Sequence, residues 1–509
     1  MELYNGFSEG FLLQYTGPRK HISSKNLLSA EQFKIETLRK LDKEIELGRI
    51  LGPFSKLPIS TLRISPIGLI EKPDGGWRLI SNLSYPEGNS VNAYIKPEFC
   101  KVNYSSLDNI LEKIYDLGSS AKLGRMDIKS AFRLLVVSPS DFDLLGIKFG
   151  SKYYIDKCLP MGCSISCNLF EKFSTFLQWV VEIRSGLHSM DHYLDDFIFM
   201  GSANSNDCHT LMSTFSEICR ELGVPLAEEK TLGPTTCLPF LGFIIDTELM
   251  MILIPHDKLC KLRSLLQPLL LKKRITLKDL ESITGLMAFC SKAIPSSRAF
   301  IRRFYDLMVG VRKPYHRIKL NKEVKSDIIL WLEFLDNFNG QCFFPDRIWI
   351  SNVTLQLFTD SSGNPNLGCG AYFKGSWAQF RWPKFWQDLP LMKNMTFLEL
   401  VPVVLSMYLW AAQFRNKKIL FFIDNLALVT IVNKRSSKDK QIMKLIRPFV
   451  LQSMLNNVQF KAVHIEGIEN KVADAISRFQ MSRFRSLVPK ADSTPTKIPE
   501  EFMILISKI

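Results

Sequence analysis

Two carboxylates stand side by side, Asp195 and Asp196, in a tight turn between two apolar, strand-like segments spanning residues 191 to 200. Adjacent acids repel one another, so the chain must either solvate this turn or supply it with positive charge. A third acid, Asp127, ends another apolar strand, Lys122 to Ile128, and the three could converge on one point. Hard oxygen donors of this kind suit magnesium or manganese, and a pair of such ions is what phosphoryl chemistry on a polymer end requires. Taken alone, the four residues Tyr193 to Asp196 read better as a solvated surface turn, so the surroundings have to decide.

The chain has 509 residues, which predicts two to four domains. Lys and Arg outnumber Asp and Glu by 65 to 50, a net charge of +15, which favours a polyanionic partner. Its eleven cysteines lack zinc-site spacing and read as reduced thiols. The N-terminus shows no signal-peptide pattern. The longest apolar segment, Phe397 to Ala412, carries Glu399 and Pro402 and is short for a bilayer. These features predict an intracellular protein of the cytoplasm or nucleus, with no membrane partner.

Along the chain, a helical pattern over Ser29 to Arg49 stops at Gly52-Pro53. Strands Ile67 to Glu71 and Trp77 to Ser81 flank the turn Pro73-Asp74-Gly75-Gly76, a hairpin with Lys72 and Arg78 beside its tip. A helix over Leu107 to Leu117, a hairpin over 145 to 158, a helix opening at Leu159-Pro160-Met161-Gly162, a helix over Asp207 to Leu222 and strands near 240 to 254 complete an α+β block. Residues 256 to about 340 carry apolar residues at helical spacing, with a capping box from Thr276 to Asp279. An α/β unit follows, with strands at 355–359, 370–373 and 418–423 and helices at 396–414, 425–433 and 470–478. Four acids fall on its successive elements: Asp360, Glu399, Asp424 and Asp474. Strand ends and helix faces on one sheet edge can gather such a set, as two-metal nucleases require. Singly, Asp424 also reads as a helix N-cap and Glu399 as an acid at a helix N-terminus.

Ordered motifs across 60 to 250 resemble those of reverse transcriptases. Ser65-Pro66-Ile67-Gly68, Trp77-Arg78-Leu79-Ile80 and Leu83-Ser84-Tyr85-Pro86 look like the family's fingers, and Met126-Asp127-Ile128-Lys129-Ser130-Ala131-Phe132 like its first catalytic strand. Leu159-Pro160-Met161-Gly162 resembles the nucleotide-binding loop, Tyr193 to Asp196 the catalytic turn, Glu229-Lys230-Thr231 the lysine segment, and Phe240-Leu241-Gly242-Phe243 the primer grip. Residues 353 to 480 resemble retroelement ribonuclease H at Thr359-Asp360-Ser361-Ser362, Leu398-Glu399-Leu400, Ile423-Asp424-Asn425 and Val472 to Arg478.

The resemblance implies an α+β multidomain protein: a right-hand polymerase of fingers, palm and thumb, then a helical connection and an α/β ribonuclease H-like domain. Its expected divisions are a lead-in at 1–60, fingers and palm at 61–250, thumb and connection at 251–350, the ribonuclease H-like domain at 351–480 and a flexible tail at 481–509. It implies two Mg2+ or Mn2+ ions per site, held by Asp127, the Ile128 backbone, Asp195 and Asp196 in one and by Asp360, Glu399, Asp424 and Asp474 in the other. Lys72, Arg78, Phe132, Gly162 and Lys230 would bind the nucleotide, with Phe132 excluding a 2′-hydroxyl and Lys230 protonating pyrophosphate. Leu241, Gly242 and Phe243 would grip the primer. The implied partners are an RNA template, a DNA primer, an RNA–DNA hybrid, deoxynucleoside triphosphates and a companion recombinase or structural protein. Asn82-Leu83-Ser84-Tyr85-Pro86 with Ser90-Val91-Asn92 resembles DIRS-like retroelements, with gypsy-like elements as the alternative. The competing function is a captured, non-catalytic nucleic-acid-binding protein.

Overall fold

A computed structural model describes residues 2–72, 75–337, 341–344 and 348–509. Pro73 and Asp74 of the expected hairpin tip lie outside these residues. Internal contacts divide the chain into two compact units, Met1–Phe240 and Leu241–Ile509. The division falls before the boundary expected at 250.

In the first unit the apolar, β-branched and aromatic runs form strands, as pleated half-buried surfaces favour. Ile67–Glu71 and Trp77–Ser81 pair as an antiparallel hairpin. The centre of the unit is a four-stranded sheet in the order Leu232–Thr235, Lys122–Asp127, Asp196–Gly201, Met190–Tyr193. The period of two along Lys122–Asp127 sends Met126 to the interior face, and Phe197 and Phe199 point the same way from the neighbouring strand. There they join Leu169, Phe170, Phe173, Leu211 and Phe215 of helices Ser166–Ser185 and Asp207–Glu221 in one core. The opposite face carries Arg125, Asp127 and Asp196 at one end and the buried Leu123, Ile198 and Met200 beside them.

The helix expected over 29 to 49 is two helices, Leu28–Gln32 and Lys34–Glu46, broken at Phe33. The Phe33 ring packs on Trp77 with centroids 4.4 Å apart. Gly52-Pro53 does not end the segment but lies inside a strand, Ile50–Phe54, because Gly52 takes φ +125 without a Cβ to obstruct it.

The second unit opens with a hairpin, Phe243–Asp246 and Met251–Leu253. Helices His256–Leu266, Leu277–Ala293 and Lys322–Asn337 follow, and Thr276 caps the second by accepting from the Asp279 backbone N–H. Lys272, Lys273 and Arg274 are exposed. An antiparallel meander comes next, Leu357–Ser361, Gly368–Phe373 and Ser376–Arg381. Strands Lys418–Ile423 and Gln459–His464 run parallel to each other. Helix Met395–Trp410 fills the middle of the unit, with Phe397, Leu398, Leu400 and Val401 fully buried. The stretch Met395–Phe414 is long and apolar enough to cross a membrane by composition, but 67% of its most apolar window is buried inside the unit.

Residues 481–509, expected as a flexible tail, instead form helices Met481–Leu487 and Glu500–Ser507 that bury Phe484, Phe502 and Ile506. Their apolar side chains outweigh the Ser, Pro and Lys content that suggested disorder. The described cysteines are free thiols.

Candidate active sites

The turn Tyr193–Asp196 joins two antiparallel strands whose register pairs Tyr193 with Asp196. Leu194 takes φ +54 to close it, a left-handed conformation that costs a side-chain-bearing residue about 1–2 kcal/mol. Across the next strand pair, Asp196 stands opposite Asp127. The Ile128 backbone N–H donates to the Asp195 carbonyl at 3.0 Å, tying the turn to the end of the Asp127 strand. Ile128 itself is buried, and its side chain offers no donor atom.

These three acids are close enough to perturb one another. Burial raises the Asp195 carboxyl above its ordinary range, and repulsion from Asp127 adds to the shift. Burial also raises Asp196, with repulsion from Asp127 and Asp195 opposing the attraction of Arg125. Cations of the chain answer this charge. Lys230 Nζ donates to Asp127 Oδ1 at 3.0 Å, and Arg125 grips both oxygens of Asp196, Nε to Oδ1 at 2.6 Å and Nη2 to Oδ2 at 2.8 Å.

Other expected residues occupy distinct places in the first unit. Gly162 packs so tightly that a Cβ there would lie 2.1 Å from the Ser81 carbonyl oxygen. Asn92 holds the same loop, donating to the Gly162 carbonyl and accepting from the Ser164 backbone N–H, each at 2.9 Å. Met161 beside it is exposed. Phe132 is only 9% exposed and lies against Phe170, centroids 5.1 Å apart, so most of its ring serves the core. Lys72 adjoins the first strand of the hairpin, and Arg78 lies exposed on the second.

In the second unit, Leu241 and Gly242 make a turn of positive φ, +47 and +81. Lys258 donates to the Gly242 carbonyl at 3.0 Å and lies 3.9 Å from the centre of the Phe289 ring. Phe289 stacks on Phe243 at 4.5 Å. The Leu241–Phe243 segment is thereby held by the helices that follow it.

The four acids of the second unit act on one another as well. Asp360 lies near the end of its strand, 9% exposed, and accepts from Ser477 Oγ. Its carboxyl is raised to about 6, by burial first and then by Asp424 and Asp474. Burial, a hydrogen bond shared with Asp424 and repulsion from Asp424 and Asp360 push Glu399 to about 9. Burial works against ionisation of Asp474 too, but hydrogen bonds from Arg478 and Arg483 outweigh it and hold this carboxyl low. The capping alternatives are resolved by geometry: Asn425, not Asp424, caps the helix after it, and Asn394, not Glu399, caps the other. His464 ends its strand beside Ile423 and is exposed.

Both clusters consist of hard oxygen donors, and Asp195, Asp196, Asp360 and Glu399 are raised by burial and neighbouring acids, which fits magnesium or manganese chemically. A buried Asn470 Oδ1 without a hydrogen-bond partner lies next to the Asp360 strand, where Asn470 Nδ2 donates to the Thr359 carbonyl at 2.8 Å. Among the described residues, no three acidic, histidine or cysteine side chains are drawn together as a ready-made ion cage. Unneutralised acids keep apart, and here arginine and lysine occupy several of them. Sequence reasoning missed Arg125, Asn92, Asn470, Arg478 and Arg483. The legible hint was Arg125 two residues before Asp127, which a strand places on the same face.

Comparison with known proteins bears on this geometry. Residues 70–245 match the family model described as reverse transcriptase (RNA-dependent DNA polymerase). The Pro-Pol polyprotein of feline foamy virus is 24% identical over 285 residues, covering 56% of this chain and 22% of that one. Protein P of duck hepatitis B virus (strain China) is 26% identical over 199 residues, 39% of this chain and 24% of that one. The chain thus spans about a quarter or less of these relatives' length. Among solved structures, a foamy viral protease-reverse transcriptase in complex with dsDNA shares the fold with a TM-score of 0.50 and 18% identity, over 89% of this chain and 86% of that one.

Proposed function

We propose that residues 70–245, which match the reverse transcriptase family model, form the polymerase domain of an enzyme that extends a DNA primer on RNA and DNA templates and cleaves the RNA of the resulting hybrid. The observation that carries the first half is the register that sets Asp127 opposite Asp196 with Asp195 in the adjoining turn. Asp127, Asp195 and Asp196, with the Ile128 backbone, would hold two divalent ions in this site. Asp360, Glu399, Asp424 and Asp474 would hold two more in a ribonuclease H-like domain. Bound there, such ions supply charge neutralisation and a more acidic hydroxyl or water.

The remaining work belongs to the chain's own side chains. Lys72 and Arg78 meet the triphosphate, one as a point charge and one as a planar fork. Gly162 keeps the loop close to the fingers strand, and the exposed edge of Phe132 limits room at the 2′ position of the sugar. Lys230, half-exposed beside Asp127, is placed to give a proton to the departing pyrophosphate. Leu241, Gly242 and Phe243 seat the primer end. The motifs at 82–86 and 90–92 favour a DIRS-like retrotransposon, served inside the cell by a companion recombinase or structural protein.

Purified protein with Mg2+ should extend a DNA primer on an RNA template and shorten the RNA of a preformed hybrid. Failure of extension by folded protein would refute the polymerase reading. Intact hybrid after prolonged incubation would refute the second activity independently.

A further inference from the structure

Arg125 is the group whose placement the reaction above does not yet use. On the strand Lys122–Asp127 it shares a face with Asp127, and its cross-strand partner is Ile198, so it is the diagonal neighbour of Asp196. Its planar fork meets the Asp196 carboxylate edge on, with two contacts at 2.6 and 2.8 Å. Both side chains are largely shielded, 24% and 17% exposed, which sets the pair apart from a solvated surface bridge. A bidentate guanidinium fixes the plane of a carboxylate and leaves a lone pair free on each oxygen. The third arm, Nη1, donates to the Pro239 carbonyl at 3.3 Å. Pro239 belongs to strand Cys237–Phe240, which runs directly into Leu241. Among the described residues, no side chain donates a hydrogen bond to Asp195, so only one acid of the doublet is clamped.

We propose that Arg125 is a positioning residue of the polymerisation site: it fixes the plane of the Asp196 carboxylate and ties it to strand Cys237–Phe240. This rests on the polymerase reading above. Lysine cannot substitute fully, because a single ammonium has charge but no fork.

The test compares full-length wild type, Arg125→Lys and Arg125→Gln in single-turnover primer extension with Mg2+ titrated, alongside thermal melts of each protein. Arg125→Gln is expected to lose about 10–100-fold in rate, as loss of a partner behind a metal-binding side chain does. It should also need more Mg2+ for half-maximal rate while keeping its half-saturating nucleotide concentration. Arg125→Lys should fall between the two. Wild-type rate and Mg2+ dependence in Arg125→Gln would overturn the proposal. So would a loss of rate in both variants that tracks a lower melting temperature, with no change in Mg2+ dependence. Should wild type itself fail to extend, the polymerase reading falls and this inference with it.

Discussion

Glu399 offers a quantitative test of the second acid cluster. Its carboxyl is pushed to about 9 in the ion-free protein, against 4.5 ordinarily. A raised carboxyl stabilises the fold fully below its unfolded value, and the contribution drains away as pH climbs through the folded value. Ion-free protein should therefore lose stability between pH 6 and 8, by at most about 1.4 kcal/mol per pH unit from this group. Glu399 is partly exposed and shares its proton with Asp424, so an order of 1–2 kcal/mol over the interval is expected. For a domain of this size that corresponds to roughly 2–8 °C of melting temperature. Six of the eight tryptophans lie beyond Leu241, so their fluorescence during heating reports mainly the second unit. Wild type and Glu399→Gln would be melted in EDTA at both pH values, the variant removing the titration while keeping shape. The wild type should drop by the stated amount more than the variant. Added Mg2+ should rescue wild type more at pH 8 than at pH 6, because ion and proton compete for the same oxygens. Equal pH dependence in the two proteins would show that Glu399 is not held protonated by its neighbours.

Further outcomes follow from other contacts. Asp195→Asn should abolish primer extension and spare hybrid cleavage, while Glu399→Gln should do the reverse; loss of both activities in either variant would contradict separate sites. Gly162→Ala drives a methyl into the Ser81 carbonyl, and should cost about 1–3 kcal/mol in denaturant unfolding with a slower extension rate. Asp327 is fully buried between Arg303 and Arg447, so Asp327→Ala should lose about 3–5 kcal/mol by stranding two guanidinium groups, measured by urea melts. Primer–template affinity should fall linearly in log–log form with salt, as released counterions dictate; a flat response would argue against a phosphate-binding groove.

Elements with one dominant periodic signal were legible in the sequence. Helix Leu107–Leu117 and hairpin Ile67–Ser81 have the bounds that patterning predicted. Helix Lys440–Leu455 was not foreseen because Pro448 sits within it, a residue that locally argues against a helix. Burial of Met443, Leu445, Ile446, Phe449 and Val450 against the rest of the unit overrides that local cost. Strand Ser376–Arg381 was missed because its signal is only Trp377 and Phe380 at unequal spacing, and pairing with Gly368–Phe373 decides it. Asp127 and Asp424 were readable because each ends an apolar strand, and Glu399 because it interrupts a long apolar helix. The partners of Asp196 and Asp474 were not: Arg125, Arg478 and Arg483 look like ordinary surface cations until strand register and helix phase bring them to a carboxylate. Asn92 and Asn470 act through backbone groups dozens of residues away, which residue type does not announce.

The contact between Gly162 and Ser81, with Asn92 fastened to the same loop, makes three distant stretches of chain into one inseparable part. Transplanting residues 159–164 alone into another scaffold would import a loop without its seat. A working chimera has to exchange 77–81, 90–92 and 159–164 as a set, and a library that varies only one of them will sample mostly mismatched joints.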